Sequence, residues 1–215
     1  MEYRTVYQEG SAEIVEKKSR FIARVFPIKT EEEAAELLEK IKKQYWDARH
    51  HCWAYIIGEK QVQERFSDDG EPAGTAGKPI LEVIRGQKLH NVMIIVIRYF
   101  GGTLLGTGGL VRAYTQAARE GVLESTIISK MKGYCLKIQT DYAELGKIQY
   151  LLAQTKIPIE NSEYEEKVTL NVLVSEEEER KLVAELTEAT NGKAGIERIE
   201  ECWFAEIDGE RAVSV

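Results

Sequence analysis

The chain has 215 residues, 43% hydrophobic and 30% charged, which suits one large domain or two small ones. Its net charge of −7 argues against a general nucleic-acid binder, because counterion release needs clustered Lys and Arg. No apolar run approaches the ~18 residues of a membrane span, and the polar first residues lack the apolar core of a signal peptide, so a cytoplasmic protein is expected with no membrane partner.

In chain order, Thr5 to Ile28 reads as two or three strands, with alternation in Ala12–Glu16 and Phe21–Phe26. Thr30 and Glu33 have capping-box spacing, and Ala34, Leu37, Leu38, Ile41 and Tyr45 then repeat at helical period, predicting a helix over about 31–46. His50 to Ile57 is a strand with Cys52, Ala54 and Ile56 on one face and His51, Trp53, Tyr55 and Ile57 on the other. A short strand follows over 62–66. Ser67 to Pro79, SDDGEPAGTAGKP, fits no period and is predicted to be an irregular loop. Ile80 to Gly86 suits a short helix. Val92 to Arg98 is β-branched and apolar throughout, as a strand covered on both faces would be. A long helix over 107–125 presents Leu110, Val111, Tyr114, Ala117, Ala118, Val122 and Leu123 as its apolar face.

A boundary is expected near 130–133, dividing the chain into domains 1–132 and 133–215. The first part carries 20 Lys and Arg against 18 Asp and Glu, and the second 9 against 18, so the acidity lies in the second. There the pattern runs strand 134–140, helix 142–155, strands 157–164 and 167–174, helix 176–190 and strand 195–205. The order β-α-β-β-α-β is ferredoxin-like. Acidic Glu176 to Glu179 suits a first helical turn, where carboxylates complement the macrodipole. The fold class is therefore α+β with two domains.

Chemistry concentrates in the first part. Five glycines (Gly101, Gly102, Gly106, Gly108 and Gly109) fall between a buried strand and a helix. That order lets backbone N–H groups and a helix N-terminus converge on an anion, with Arg98 before the loop and Arg112 one turn inside the helix. The same glycines also suit a tight turn packed on a neighbour. The spacing matches neither a Walker loop nor a dinucleotide fingerprint. Asp68, Asp69 and Glu71 miss the calcium-loop pattern, and Cys52, Cys135 and Cys202 are odd in number and far apart, so no metal, cofactor or disulfide framework is expected. His50 and His51 point to opposite faces of their strand. His51, Trp53 and Tyr55 suit either a half-buried strand or an aromatic surface on which a base stacks. No catalytic triad or nucleophile elbow is present, and the catalytic residues are unknown.

Four motifs together resemble the IMPACT family: SRFIA at Ser19–Ala23, AxHHCWAY at Ala48–Tyr55, FSDDGEPAGTAGKP at Phe66–Pro79 and VIRYFGGTLLGTGGLVRAY at Val96–Tyr114. The remainder is similar to the small C-terminal domain of bacterial members. The resemblance implies an N-terminal β/α domain like the second domain of a small-subunit ribosomal protein and a ferredoxin-like C-terminal domain. It also implies a role at RNA, the ribosome or a translation factor, and carries over no catalytic residues. Eukaryotic members regulate translation through an activator of an initiation-factor kinase, a partner not expected in bacteria.

The expectation is a non-enzymatic binding protein of translation that meets phosphate through Arg98, Gly101, Gly102, Gly106, Gly108, Gly109 and Arg112. His51, Trp53, Asp68, Asp69, Glu71 and Lys78 would shape the adjacent surface. The alternative is an enzyme holding a small phosphorylated or carboxylated ligand at the glycine loop, with His51 or Asp69 as acid–base group. The sequence leaves the oligomeric state open.

Overall fold

The computed structural model describes residues 2–59, 61–207 and 210–212. The chain forms two compact units, Tyr3–Ile128 and a second that runs from Ser129 onward and includes Glu2.

In the first unit the N-terminal alternation resolves into three strands, β1 (Glu2–Gln8), β2 (Gly10–Glu16) and β3 (Ser19–Pro27). Lys17 and Lys18 make the tight β2–β3 turn, both at positive φ. With β4 (His50–Ile57), β5 (Gln63–Ser67) and β6 (Val92–Tyr99), β2 and β3 build a sheet of order β2-β3-β6-β4-β5, antiparallel at every step. β1 stands apart from it and bridges Leu89 through Arg4.

Helix α1 (Glu31–Gln44) covers one face, and α2 (Gly77–Gly86) and α3 (Gly106–Leu123) the other. Central β6 feeds both cores. Ile94 and Val96 pack with Ile80, Ile84, Tyr114 and Ala117, while Met93, Ile95 and Ile97 pack with Ala34 and Ile41. This two-sided burial explains why the strand is apolar without alternation.

Three local expectations change. The Thr30 hydroxyl accepts the Glu33 N–H at 3.2 Å, but Glu33 reaches back to the Lys29 N–H rather than to that of Thr30. Val111 and Leu123 are exposed, so the buried stripe of α3 is narrower than its apolar sequence. Helix α2 begins at Gly77, three residues early, because a loop carboxylate satisfies its first amides.

The boundary falls within β7 (Thr126–Thr140), most of which belongs to the second unit together with α4 (Tyr142–Gln154), β8 (Ile159–Tyr164), β9 (Val168–Ser175), α5 (Glu176–Ala189), β10 (Gly195–Ile207) and β11 (Glu210–Ala212). The sheet order is β11-β10-β7-β9-β8, and without β11 it is the ferredoxin-like arrangement. Leu136, Ile138, Leu170 and Val172 from the sheet meet Ile148, Leu152, Leu182 and Leu186 from the helices. β7 starts at Thr126, earlier than expected, because Lys130 and Lys132 obscure its apolar alternation. A full capping box, unread in the sequence, starts α5 at Ser175 and Glu178. Among the described residues no helix is long and apolar enough to cross a membrane.

Candidate functional site

Strand register gathers the motifs at one end of the first sheet. β6 leaves it at Tyr99, and Arg98 lies opposite both Phe21 and His50. β5 ends at Ser67, opposite Trp53. The loop Asp68–Ala76, the loop Phe100–Leu105, the Lys17–Lys18 turn and the segment Tyr45–Arg49 therefore all emerge there.

The acidic loop is turned inward. Asp68 accepts backbone N–H groups from Gly74, Ala76 and Gly77 at 2.8, 3.0 and 2.8 Å, so its carboxylate caps α2. Asp69 Oδ2 accepts the His51 N–H at 2.6 Å, and Asp69 itself sits at positive φ. Glu71, with its side chain only 4% exposed, accepts Arg98 Nη1 at 2.5 Å and the Tyr114 hydroxyl at 2.8 Å. These three carboxylates hold the loop on the sheet and do not form an acidic surface.

Arg98 does not face solvent. The residue is 5% exposed, ion-paired to Glu71, and its guanidinium lies 5.3 Å from the Phe21 ring centroid. Its Nη2 reaches Ser19 Oγ at 3.4 Å, and the same hydroxyl accepts the Gly101 N–H at 3.1 Å. Arg98 thus ties the acidic loop to the start of the glycine loop. His51 is also buried: its Nε2 sits 3.0 Å from the Tyr45 carbonyl, while Trp53 stacks on Tyr55 at 5.5 Å. Neither His51 nor Trp53 opens onto the glycine loop.

Behind the loop lies a buried cluster that the sequence did not announce as one. The Cys52 thiol donates to the Asp68 carbonyl at 3.0 Å and lies 3.4 Å from the Tyr114 hydroxyl. Burial pushes the thiol well above its usual range, and burial, then Cys52 and Glu71, push the Tyr114 hydroxyl up likewise. Both stay protonated at neutral pH and act as neutral donors, so Cys52 is no nucleophile. His50 Nδ1 meets the Asp69 carbonyl at 2.7 Å. These partners lie 16 to 62 residues apart in sequence, and only the register that places Cys52 opposite Val96 would have hinted at them.

The glycine loop divides by role. A Cβ on Gly101 would collide with the Lys18 carbonyl group, so this glycine lets the loop close on the β2–β3 turn. Gly102 and Gly106 hold φ of +83° and +70°, which L side chains rarely adopt. Gly108 and Gly109 lie in the first turn of α3. A Cβ on Gly108 would meet only Arg112 Nη1, at 3.6 Å, so the exposed Arg112 folds back over the helix start. The N-cap residue of α3, Leu105, offers no side-chain cap, and no acid stands in the first turn. At this end of the sheet Lys17, Lys18, Arg49, Lys78 and Arg112 are exposed, and none has an ion-pair partner among the described residues. Among the described residues no group of three or more His, Cys, Asp or Glu is placed to hold a metal ion.

Comparison with known proteins finds similar sequences over both units. The Impact N-terminal domain matches residues 17–122, and a domain of unknown function, DUF1949, matches residues 138–193. The IMPACT family member YvyE of Bacillus subtilis is 42% identical over 90% of this chain and 89% of its own length. YigZ of Escherichia coli is 38% identical over 86% of this chain and 92% of its own. A solved structure described as a hypothetical protein is 35% identical, with a TM-score of 0.60, over 93% of this chain and 98% of that one. With relatives this similar along nearly the whole chain, and both domains matched, the chain belongs to the IMPACT family.

Proposed function

We propose that this protein is a cytoplasmic, non-enzymatic binding protein of translation whose first unit contacts RNA, alone or in the ribosome, at the glycine-loop end of its sheet. One observation carries this reading: the end of the sheet where the glycine-built α3 starts exposes five cations that have no ion-pair partner among the described residues, while the carboxylates of Asp68, Asp69 and Glu71 are consumed internally. Unpartnered amides and cations favour phosphate, and phosphate contacts position a nucleic acid without reading its sequence. The role in translation follows from what the family resemblance implies. Arg112, Gly106, Gly108 and Gly109 line the contact, with Lys78 at its rim, and Arg98 acts from inside as the anchor of both loops. The acidic second unit limits indiscriminate RNA binding.

The enzyme alternative gains no comparable support, since His51 and Asp69 are bonded to the protein itself. Titrating the full chain with ribosomes and structured RNA at rising salt tests the proposal. Affinity should fall steeply with salt, and Arg112→Ala should weaken binding and reduce the log–log slope by about 1. Salt-independent binding, or an unchanged slope for a combined Lys17, Lys18 and Arg112 alanine variant, would refute it.

A further inference from the structure

We infer that this end of the sheet takes unpaired nucleotides, with Trp46 and Phe100 as stacking platforms beside the phosphate-binding cations. The inference rests on the RNA reading above and adds the class of RNA. Trp46 is 81% exposed, Leu104 83% and Phe100 41%. Single exposed apolar side chains are ordinary, but these three stand on segments bonded to one another. The Arg49 N–H donates to the Arg98 carbonyl at 3.2 Å, and the Tyr99 hydroxyl donates to Asp47 Oδ1 at 2.8 Å. Residues 46–49 are thus strapped to the end of β6, from which Phe100 and Leu104 continue. The turn that follows α1, closed by the Ala48 N–H on the Tyr45 carbonyl at 3.0 Å, leaves Trp46 outside the core.

The electrostatic setting selects the partner. The guanidiniums of exposed Arg49 and buried Arg98 lie 5.9 and 5.7 Å from the Phe100 ring centroid, so the ring stands beside two cations, of which Arg49 has no ion-pair partner among the described residues. Unpaired bases stack on aromatic faces and on guanidinium planes, whereas a duplex hides its base faces and offers mainly phosphate. A duplex binder would need the cations but not the exposed rings. An acidic protein partner would also meet the cations. The glycine-built helix start, however, leaves room for close approach of a backbone, and a helix N-terminus without acids in its first turn favours a phosphate over a carboxylate side chain held at a distance.

The test measures binding of the full chain to a labelled, unstructured oligouridine and to an RNA duplex of equal length, at one salt concentration and then across several. The single strand should bind more tightly. Trp46→Ala and Phe100→Ala should each weaken it about 5- to 100-fold with little change in salt slope, as expected for loss of one base–aromatic stack. Duplex binding should hardly change. Phe100→Tyr should keep the affinity, and Phe100→Leu, which retains bulk without a π-face, should lose it. Unchanged thermal unfolding of the variants shows that folding is not the cause. Equal salt-dependent binding of strand and duplex, insensitive to both alanine variants, would overturn the stacking inference and leave the RNA reading standing. Absence of binding to either RNA would overturn both. Loss of a protein partner, but not of RNA, in the two variants would assign the aromatic surface to that protein and also overturn the inference.

Discussion

The carboxylate of Glu71 and the guanidinium of Arg98 form an ion pair with side chains only 4% and 6% exposed, and the Tyr114 hydroxyl completes it. Such a pair adds little net stability over an apolar substitute, but breaking it leaves a charge without its partner in a low-dielectric interior. Glu71→Ala should therefore cost about 3–5 kcal/mol in urea unfolding followed by tryptophan fluorescence. Glu71→Gln, which keeps an acceptor for Arg98 and Tyr114, should cost clearly less. Equal losses would mean that charge plays no part. Arg98 is also where residue type misled: an arginine ahead of a glycine loop reads as an anion ligand, and its burial follows from Glu71, 27 residues away in sequence. Ordinary spacing rules do not reach that far. By contrast, Lys17 and Lys18 lie in no motif and Arg49 only at the variable position of one, and only the convergence of their segments brings them to the end of the sheet where α3 starts.

At the scale of elements, the β6–loop–α3 unit was readable because both of its signals are local. Uninterrupted apolar residues mark a strand covered on two faces, and glycines mark the break before a helix. What each glycine does depends on neighbours from other elements. Gly101→Ala would drive a Cβ into the Lys18 backbone and should destabilise the protein by about 1–3 kcal/mol, as overpacking does. Gly108→Ala meets only the end of a flexible side chain within a helix, so it should leave stability unchanged or raise it by up to about 1 kcal/mol. If the first turn of α3 approaches a phosphate, the same variant should still weaken RNA binding. A thermal melt and a salt titration on each variant separate the structural glycine from the recognition glycine. The Asp68–Ala76 loop shows the converse. It has no period because its order comes from side chains bonding to backbone, with Asp68 alone serving three amides.

For the whole molecule, the charge asymmetry read from the sequence falls between two separately packed units, one near neutral and one acidic. The second unit carries its own acid-sensitive latch. Glu178 is the capping-box partner of Ser175 and also binds Arg211 of β11. Burial raises its proton affinity, but the bonds from Arg211 and Ser175 outweigh that and hold the carboxyl below its ordinary value of 4.5. A carboxyl depressed in the folded state stabilises above its unfolded value and loses that contribution as pH falls through the folded one. The stability gap between the native chain and Glu178→Gln should thus be full near neutral pH and shrink progressively below about 4.5. Urea midpoints across the acid range check this, and a gap that stays constant would count against it.

By itself the sequence determined what depends on neighbouring residues: the α+β class, the ferredoxin-like order of the second unit, the doubly covered strand and the start of the long helix. It also carried the four motifs of the family. The tertiary structure decided which charges are available. It buried Arg98 against Glu71, turned Asp68 and Asp69 toward backbone amides, and left Lys17, Lys18, Arg49 and Arg112 exposed at one end of the sheet. The physical reason is that period and capping act over a few residues, whereas desolvation and pairing of a charge depend on groups brought together only when the sheet has formed.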